Sequence, residues 1–268
     1  MVPVSLIRLF DLERVDEVTF TGQGLHYPWG GLYGGHIVAQ ALRAAARTVE
    51  PEFIPHSLRA YFIRRGITSQ PVGYSVDKIR DGRSFCTRRV VAAQSDGAIL
   101  NLEASFQVDE VTIEQSMAPM PQGVPRPDEL EESGWWDFLH RRSVPVNAHE
   151  PHVARAWMRV SDSFGTDQVL ERCALAYLSD DLPNDCVITA IPEIQRASDE
   201  GRRFSASLDH AIWFHRPVQA NEWNLYTMSC VNYGGGRGMT FGYVHSHDGR
   251  HLATIAQETL VRIQSVSS

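Results

Sequence analysis

Histidine pairs and a glycine run are the first residues of this chain whose spacing could do chemistry. The pairs His149-Glu-Pro-His152 and His245-Ser-His247 have spacings found in metal sites, but no further ligand pattern accompanies either pair. The Gly-Gly-Gly-Arg-Gly run at residues 234–238 lacks the strand-to-helix context of a phosphate-binding loop, and bending of a long strand explains it better. No G-x-S-x-G segment occurs, which disfavours a serine hydrolase of the α/β type. We therefore expect neither a bound metal nor a bound cofactor.

Acidic and histidine residues of the second half form two further groups. Asp180 and Asp181 stand where a helix-like stretch ends before Pro183. A carboxylate at the negative end of a helix dipole is destabilised by roughly a few tenths of a kcal/mol, and the same field raises its pKa and its basicity. Taken alone, the two acids are most simply a solvated helix end. Asp209 and His210 are adjacent on a strand-like stretch and face opposite ways, so we interpret both as packing and network residues.

The elements that would position these residues occur twice along the chain. In the first half, a glycine pair opens a helix predicted over residues 33–49, whose small apolar residues recur at a spacing that predicts one buried face. Four predicted strands follow, at residues 56–64, 72–80, 84–94 and 98–108. The second half repeats this order, with a helix at residues 167–180 and strands at residues 204–215, 224–232, 238–247 and 251–263. An Asp-Gly pair marks a tight hairpin before the last strand of each half.

A proline-rich stretch separates the two halves. A stretch of this length and composition cannot continue a sheet, so we predict a linker that lies over the surface and is anchored by Trp135 and Trp136. A long helix wrapped by an antiparallel sheet is the hotdog arrangement. We therefore predict an α+β double hotdog with a first repeat in residues 1–108, a linker in residues 109–148 and a second repeat in residues 149–268.

Composition narrows the possible partners and location. The net charge of -7 argues against a general nucleic-acid binder, which needs a basic face. No apolar run approaches the roughly 18 residues that span a bilayer, and the N-terminal residues do not resemble a signal peptide. The four cysteines are scattered and predict reduced structural thiols. We expect a cytoplasmic protein with no nucleic-acid partner and no stable membrane insertion.

Segments along nearly the whole chain resemble type II acyl-CoA thioesterases and occur in the order of that family. The first helix signature is Tyr33-Gly-Gly-His-Ile-Val-Ala-Gln-Ala-Leu42, in which the family commonly has Gln at the position of His36. The other similar segments are residues 56–64, 80–85, 88–90, 104–107, 172–177, 208–216, 222–223, 237–238 and 256–258. The resemblance implies hydrolysis of fatty acyl-CoA to a free fatty acid and CoA.

The same resemblance implies a water held by an aspartate, a hydroxyl and a glutamine. By position these are Asp180, Ser207 and Gln257, with serine in the hydroxyl place. Asp181 is an alternative for the acid because it follows Asp180 directly. A carboxylate can act as a general base on water, while the hydroxyl and the amide orient that water toward a thioester carbonyl.

Analogy with hotdog enzymes extends the site to the start of the first helix. There the main-chain amides of Gly35 and His36 are candidates for binding the oxyanion. Hotdog hydratases use an Asp with a His five residues later, and no Asp of this chain has that neighbour. A non-catalytic acyl-CoA binding or sensor protein on the same fold stays an alternative. We expect a homo-oligomer, but no pattern determines its size, the preferred acyl-chain length or the residues that contact CoA.

Overall fold

The computed structural model of the chain describes residues 5–265, so the first four and last three residues of the predicted repeats lie outside it. The first half consists of α1 (Leu6–Leu9), β1 (Glu13–Arg14), β2 (Thr19–Gly22), α2 (Gly34–Ala46), β3 (Phe53–Phe62), β4 (Val72–Asp81), β5 (Phe85–Gln94) and β6 (Gly97–Val108). The remainder consists of β7 (Leu139–Val144), β8 (Val153–Val160), α3 (Gln168–Ser179), α4 (Pro183–Ala190), α5 (Pro192–Asp199), β9 (Arg203–Ser207), β10 (Asp209–Phe214), β11 (Asn224–Gly234), β12 (Arg237–Ser246) and β13 (His251–Ile263).

The strands of the described residues pair antiparallel in one continuous sheet. Their order is β1-β2-β4-β5-β6-β3-β10-β13-β12-β11-β8-β7, and β9 also pairs with β13. Each half has the same internal order around its long helix, β2-β4-β5-β6-β3 in the first and β8-β11-β12-β13-β10 in the second. The pairing of β3 with β10 joins the two halves. The repeat that the sequence predicts is therefore present in the topology.

The helix α2 is buried more completely than the sequence predicts. All residues from Gly35 to Leu42 are buried, so the helix is covered all round over this stretch and not on one face alone. The sheet strands β5 and β6 cover one side, and α3 packs against another. Fully buried alanines such as Ala41 and Ala44 permit this close approach of helix to helix and helix to sheet.

The connection between α3 and β9 differs from the sequence interpretation. The helix α3 ends at Ser179, before Pro183 as predicted, but Pro183 is also the first residue of α4, and Pro192 begins α5 in the same way. Proline fits the first turn of a helix because the N–H it lacks would have no partner there. The two short helices lie between α3 and β9, where the sequence predicts no element.

The predicted linker at residues 109–148 is only partly irregular. Its prolines at 119, 121, 125 and 127 lie in an irregular stretch that contains a short 3-10 helix at Pro127–Glu129. Leu139–Val144, however, form β7 and pair with β8 at the edge of the sheet. The linker prediction is therefore wrong for this part, because the proline argument does not apply to residues that follow the last of these prolines. Trp135 packs against Tyr33 and Tyr177, as an anchor of this segment would. The boundaries at residues 108 and 149 stay predictions.

The two Asp-Gly hairpins are present, between β5 and β6 and between β12 and β13. Gly97 and Gly249 have φ values of 105° and 87°, which only glycine adopts without strain. No helix within residues 5–265 is long and apolar enough to cross a membrane.

The helices α2 and α3 are in close main-chain contact at Gly35. A Cβ atom added there would lie 2.2 Å from the main-chain oxygen of Tyr177, far inside van der Waals contact. The main chain of α3 cannot yield as a side chain would, so the contact requires glycine.

We expect Gly35→Ala to lower the free energy of unfolding by about 1–3 kcal/mol, the usual cost of overpacking, although alanine favours helix. Gly73→Ala is the matched control, because its Cβ would meet only the main-chain oxygen of Ala93 at 3.8 Å. Denaturant unfolding of both variants measures the effect. Equal stabilities of the two variants would contradict the close crossing of the helices.

Candidate active site

Asp180 lies at the C-terminal end of α3 and points toward the N-terminal end of α2. It is the C-cap residue of α3, and it is only 5% exposed. Its Oδ2 atom accepts a hydrogen bond of 3.0 Å from the main-chain N–H of Gly35. A Cβ atom at Gly34 would lie 2.5 Å from the same Oδ2, so the glycine pair leaves room for the carboxylate. The acid therefore comes from the second repeat and its main-chain donor from the first.

Ser207 is brought to Asp180 by a break in a strand. The sequence predicts one strand over residues 204–215, but β9 ends at Ser207 and β10 begins at Asp209. The pairing of these strands with β13 shifts by one residue across the break, as in a β-bulge. The shift lets Ser207 and His210, three residues apart, face the same interior side. The Ser207 hydroxyl donates a hydrogen bond of 2.8 Å to Oδ1 of Asp180.

Gln257 completes the predicted group of three side chains from the middle of β13. Its Nε2 atom donates a 2.9 Å hydrogen bond to the Ser207 hydroxyl and a longer one of 3.3 Å to the hydroxyl of Thr259. Gln257 is fully buried, whereas Ser207 is partly exposed. The structure thus brings Asp180, Ser207 and Gln257 together, and Ser207 is the one of the three that is open to approach.

The surroundings of Asp180 give it the character of a base near neutral pH. Burial raises the pKa of Asp180 from its ordinary 3.8 to about 6, against the hydrogen bonds from Ser207 and Gly35 and the nearby amide of Gln257, which lower it. A carboxylate of this pKa is ionised at pH 7 and is still a much stronger base than one in water.

Asp181 points away from this group. Its Oδ2 atom lies 2.7 Å from a guanidinium nitrogen of Arg141, and its Oδ1 accepts a 3.3 Å hydrogen bond from the indole of Trp135. Burial raises the pKa of Asp181, and the charge of Arg141 opposes that rise. An acid already paired with a cation is a poor proton acceptor, so the geometry favours Asp180 over Asp181 as the base.

The amides proposed for the oxyanion differ from each other in this structure. The Gly35 amide donates to Asp180. The first main-chain hydrogen bond of α2 runs from the Ile37 N–H to the Tyr33 carbonyl oxygen, so the His36 N–H lies before it and has no partner within the helix. The His36 side chain is turned elsewhere: its Nδ1 lies 2.9 Å from the hydroxyl of Tyr27, and its Nε2 lies 3.1 Å from the carbonyl oxygen of Gln23. The roles of Gly35 and His36 stay predictions.

Residues away from this site bear on metal binding and on access. Within residues 5–265, no three His, Cys, Asp or Glu side chains converge in a way that could hold a metal ion. The four cysteines are free and buried. A cleft of about 590 Å³ lies beside the C-terminal end of α2, and another of about 350 Å³ lies between β7, β8, α4 and α5. Neither cleft is lined by Asp180, Ser207 or Gln257, so we do not assign the substrate to either.

His210 is a member of the site that sequence reasoning did not connect with it. Its Nδ1 atom lies 2.5 Å from Oε1 of Gln257, and its Nε2 lies 2.8 Å from the hydroxyl of Ser179. The interpretation of His210 as a network residue agrees with these contacts. Strand alternation alone would place Ser207 and His210 on opposite faces of the sheet, and no sequence pattern here predicts the bulge that brings them to the same face.

Two family models match the chain, one in each half. Residues 25–107 match the acyl-CoA thioesterase N-terminal domain, and residues 114–261 match the acyl-CoA thioesterase C-terminal domain. This chain belongs to the acyl-CoA thioesterase family.

Relatives of this thioesterase family match over nearly their full length. Acyl-CoA thioesterase 2 of Haemophilus influenzae is 31% identical over 280 residues, which cover 96% of this chain and 97% of the relative. The crystal structure of acyl-CoA thioesterase II TesB2 from Mycobacterium marinum is 33% identical with a TM-score of 0.84, over 98% of this chain and 99% of that chain. A conserved protein of unknown function with a hot dog fold from Alicyclobacillus acidocaldarius has a TM-score of 0.81 at 21% identity, over 98% of this chain and 100% of that chain, which supports the fold alone. The predicted double hotdog and the family resemblance are confirmed.

We expect the free energy of unfolding of Asp180→Asn, measured relative to that of the wild type, to be higher at pH 8 than at pH 4. The pKa of Asp180 is higher in the folded chain than its ordinary value, so the native state loses stability as the pH rises from about 4 to about 6 and the buried carboxylate ionises. The full shift corresponds to about 3 kcal/mol as an upper bound. The cost of placing an amide beside Gly35 is the same at both pH values, so it cancels when the effect of the substitution at pH 4 is subtracted from its effect at pH 8.

Asp96→Asn, in the exposed hairpin between β5 and β6, controls for removing one carboxylate. A difference between wild type and Asp180→Asn that is the same at both pH values would contradict the raised pKa of Asp180.

Proposed function

We propose that this chain hydrolyses fatty acyl-CoA to a free fatty acid and CoA, with Asp180, Ser207 and Gln257 as the catalytic side chains. The observation that carries the proposal is the buried carboxylate of Asp180, raised in pKa to about 6 and bonded to Ser207, in a member of the acyl-CoA thioesterase family. The relative from Haemophilus influenzae, matched over nearly its whole length, is named an acyl-CoA thioesterase, which supports the substrate class.

In the proposed mechanism the three side chains hold and activate one water. The water approaches from the partly exposed side of Ser207 and gives a proton to Asp180 while its oxygen attacks the thioester carbonyl carbon. Ser207 and Gln257 supply the remaining hydrogen bonds that keep the water and the carboxylate in line. A thioester needs no covalent enzyme intermediate for this step, because its carbonyl carbon is already electrophilic.

The negative charge that develops on the carbonyl oxygen faces the positive end of α2. The His36 amide is the main-chain donor that we assign to the oxyanion, and the dipole of α2 adds to it. The Gly35 amide holds Asp180 and so fixes the base relative to that donor. When the tetrahedral intermediate collapses, the C–S bond breaks and the proton held by Asp180 passes to the CoA sulfur. The products are then the fatty acid and free CoA, and Asp180 returns to its ionised state.

The proposal includes the setting of the enzyme. We propose a cytoplasmic homo-oligomer that acts on fatty acyl-CoA, takes no nucleic-acid partner and does not insert into membranes. The net charge of -7 and the four reduced cysteines support this setting. We also keep the division into repeats at residues 1–108 and 149–268 as a proposal.

Thiol release from acyl-CoAs of graded chain length tests the function. We expect the wild type to turn over, and Asp180→Asn to lose about 100-fold or more of kcat with the fold intact, because the amide cannot accept a proton. Asp181→Asn is the matched control, since it makes the same chemical change one residue away. It should keep kcat but lose roughly 1–3 kcal/mol of stability, because Arg141 loses one of its two carboxylate partners.

Two outcomes would contradict the proposal in different ways. Loss of turnover in Asp181→Asn alone would keep the reaction and move the base by one residue. No thiol release at any chain length, with acyl-CoA nonetheless bound, would make the chain a non-catalytic acyl-CoA binding protein.

The pH profile of the wild type gives an independent check of the base. Because the proposed reaction needs ionised Asp180, kcat/KM should fall as the pH drops through about 6. A profile that stays flat from pH 5 to pH 8 would exclude a base of that pKa.

A further inference from the structure

The ionised carboxylate of Asp180 determines the direction of the hydrogen bonds behind it. A carboxylate only accepts, so the Ser207 hydroxyl, 2.8 Å from Oδ1, must donate its one hydrogen to Asp180. The Ser207 oxygen must then accept from its next neighbour. The amide atom of Gln257 that lies 2.9 Å from it is therefore the nitrogen, which leaves Oε1 of Gln257 pointing away from the carboxylate.

His210 lies directly behind that oxygen. Its Nδ1 is 2.5 Å from Oε1 of Gln257, and because Oε1 only accepts, Nδ1 must carry the hydrogen. Burial lowers the pKa of His210 to about 4, so the ring is neutral at pH 7. With the hydrogen on Nδ1, Nε2 can only accept, and the Ser179 hydroxyl 2.8 Å away is its donor, shared with the carbonyl oxygen of Ala176 at 2.9 Å. Ser179 precedes Asp180 in the chain. His210, Gln257 and Ser207 thus form a chain of hydrogen bonds in which each donor points toward the carboxylate of Asp180.

We propose that His210 is a positioning residue: its Nδ1–H holds the amide of Gln257 in the one orientation that lets Gln257 and Ser207 both donate toward Asp180. The proposal rests on the function proposed above, because it assigns His210 a part in the same hydrolysis. If the amide turned over, Oε1 of Gln257 would face Ser207, and Ser207 would donate to Gln257 and no longer to Asp180. Two of the interactions that orient the base and keep it ionised would then be lost, although nothing in the packing had changed.

Two substitutions of similar polarity separate positioning from packing. The amide nitrogen of Asn at position 210 can take the place of Nδ1 and donate to Gln257, whereas that of Gln reaches the place of Nε2, beside Ser179. We expect His210→Asn to keep kcat within about fivefold of the wild type, as for the loss of one neutral hydrogen bond. We expect His210→Gln, although closer in size to histidine, to lower kcat about 10- to 100-fold with little change in KM, as small misplacements of catalytic groups do.

The acid limb of the pH profile gives a readout that a purely structural role would not move. The hydrogen bond from Ser207 and the nearby donor amide of Gln257 lower the pKa of Asp180, so an amide that is free to turn over should raise it. In His210→Gln the fall of kcat/KM at low pH should therefore begin at a higher pH than in the wild type, and in His210→Asn it should not. Equal kcat values and equal acid limbs in the Asn and Gln variants would overturn the proposal.

A measurement on the unsubstituted protein covers the case in which a variant does not fold. Nitrogen-15 NMR of the imidazole rings, with His210 assigned by its absence in whichever position-210 variant folds or by through-bond correlation, should show a neutral ring with its proton on Nδ1 at pH 7. A proton on Nε2, or a cationic ring, would overturn the proposal. Failure of the proposed function is distinguishable, because then the wild type and Asp180→Asn would both release no thiol while the ring could still show its Nδ1 proton.

Discussion

The buried carboxylate of Asp180 at the crossing of the two long helices is the interaction on which the rest of the site depends. Removing a carboxylate from water is costly unless hydrogen bonds replace the lost solvent. Here the Gly35 amide and the Ser207 hydroxyl contact its two oxygens, and Gln257 and His210 stand behind the hydroxyl. These bonds require α2 and α3 to approach at glycine, and they require β13 to lie beside the bulge that follows Ser207. The helix crossing, the strand break and the buried Gln257 amide thus all contribute to the hydrogen bonds that replace the solvent around the Asp180 carboxylate.

The duplicated architecture makes the two ends of the helix pair chemically different. Asp180 is the C-cap of α3, whereas the equivalent position at the end of α2 is Arg47. Near that end Arg88, only 2% exposed, donates to Thr48 and pairs with Asp81. One end of the repeat pair therefore holds a buried carboxylate and the other a buried guanidinium. The second repeat supplies Asp180, Ser207 and Gln257, and the first repeat supplies the start of α2 that faces them.

The two adjacent acids show how position on the chain separates function from stability. Asp181 is neutralised by Arg141 and held by Trp135 from the segment between the repeats, so its burial supports the docking of that segment. Asp180 has no cation among its bonded partners to oppose the effect of burial, which raises its pKa toward neutrality. A raised pKa lowers stability at neutral pH, and it is also what makes a carboxylate useful as a base. A buried carboxylate that lowers stability in this way indicates a functional site.

The sequence alone predicted most of the elements and the duplication, because periodicity and turn residues are local features of neighbouring residues. The order of its motifs indicated the family, and that resemblance implied Asp180, Ser207 and Gln257 as site residues. The sequence was not sufficient for β7, for the helices after Pro183, or for the choice between Asp180 and Asp181. That choice depends on which acid meets the Gly35 amide, a contact between residues 145 positions apart that no local pattern records. The link between His210 and the site likewise needed the bulge between β9 and β10, since strand alternation predicts the opposite face. Only tertiary structure decides such contacts, because they depend on the register and crossing of elements that are far apart in the chain.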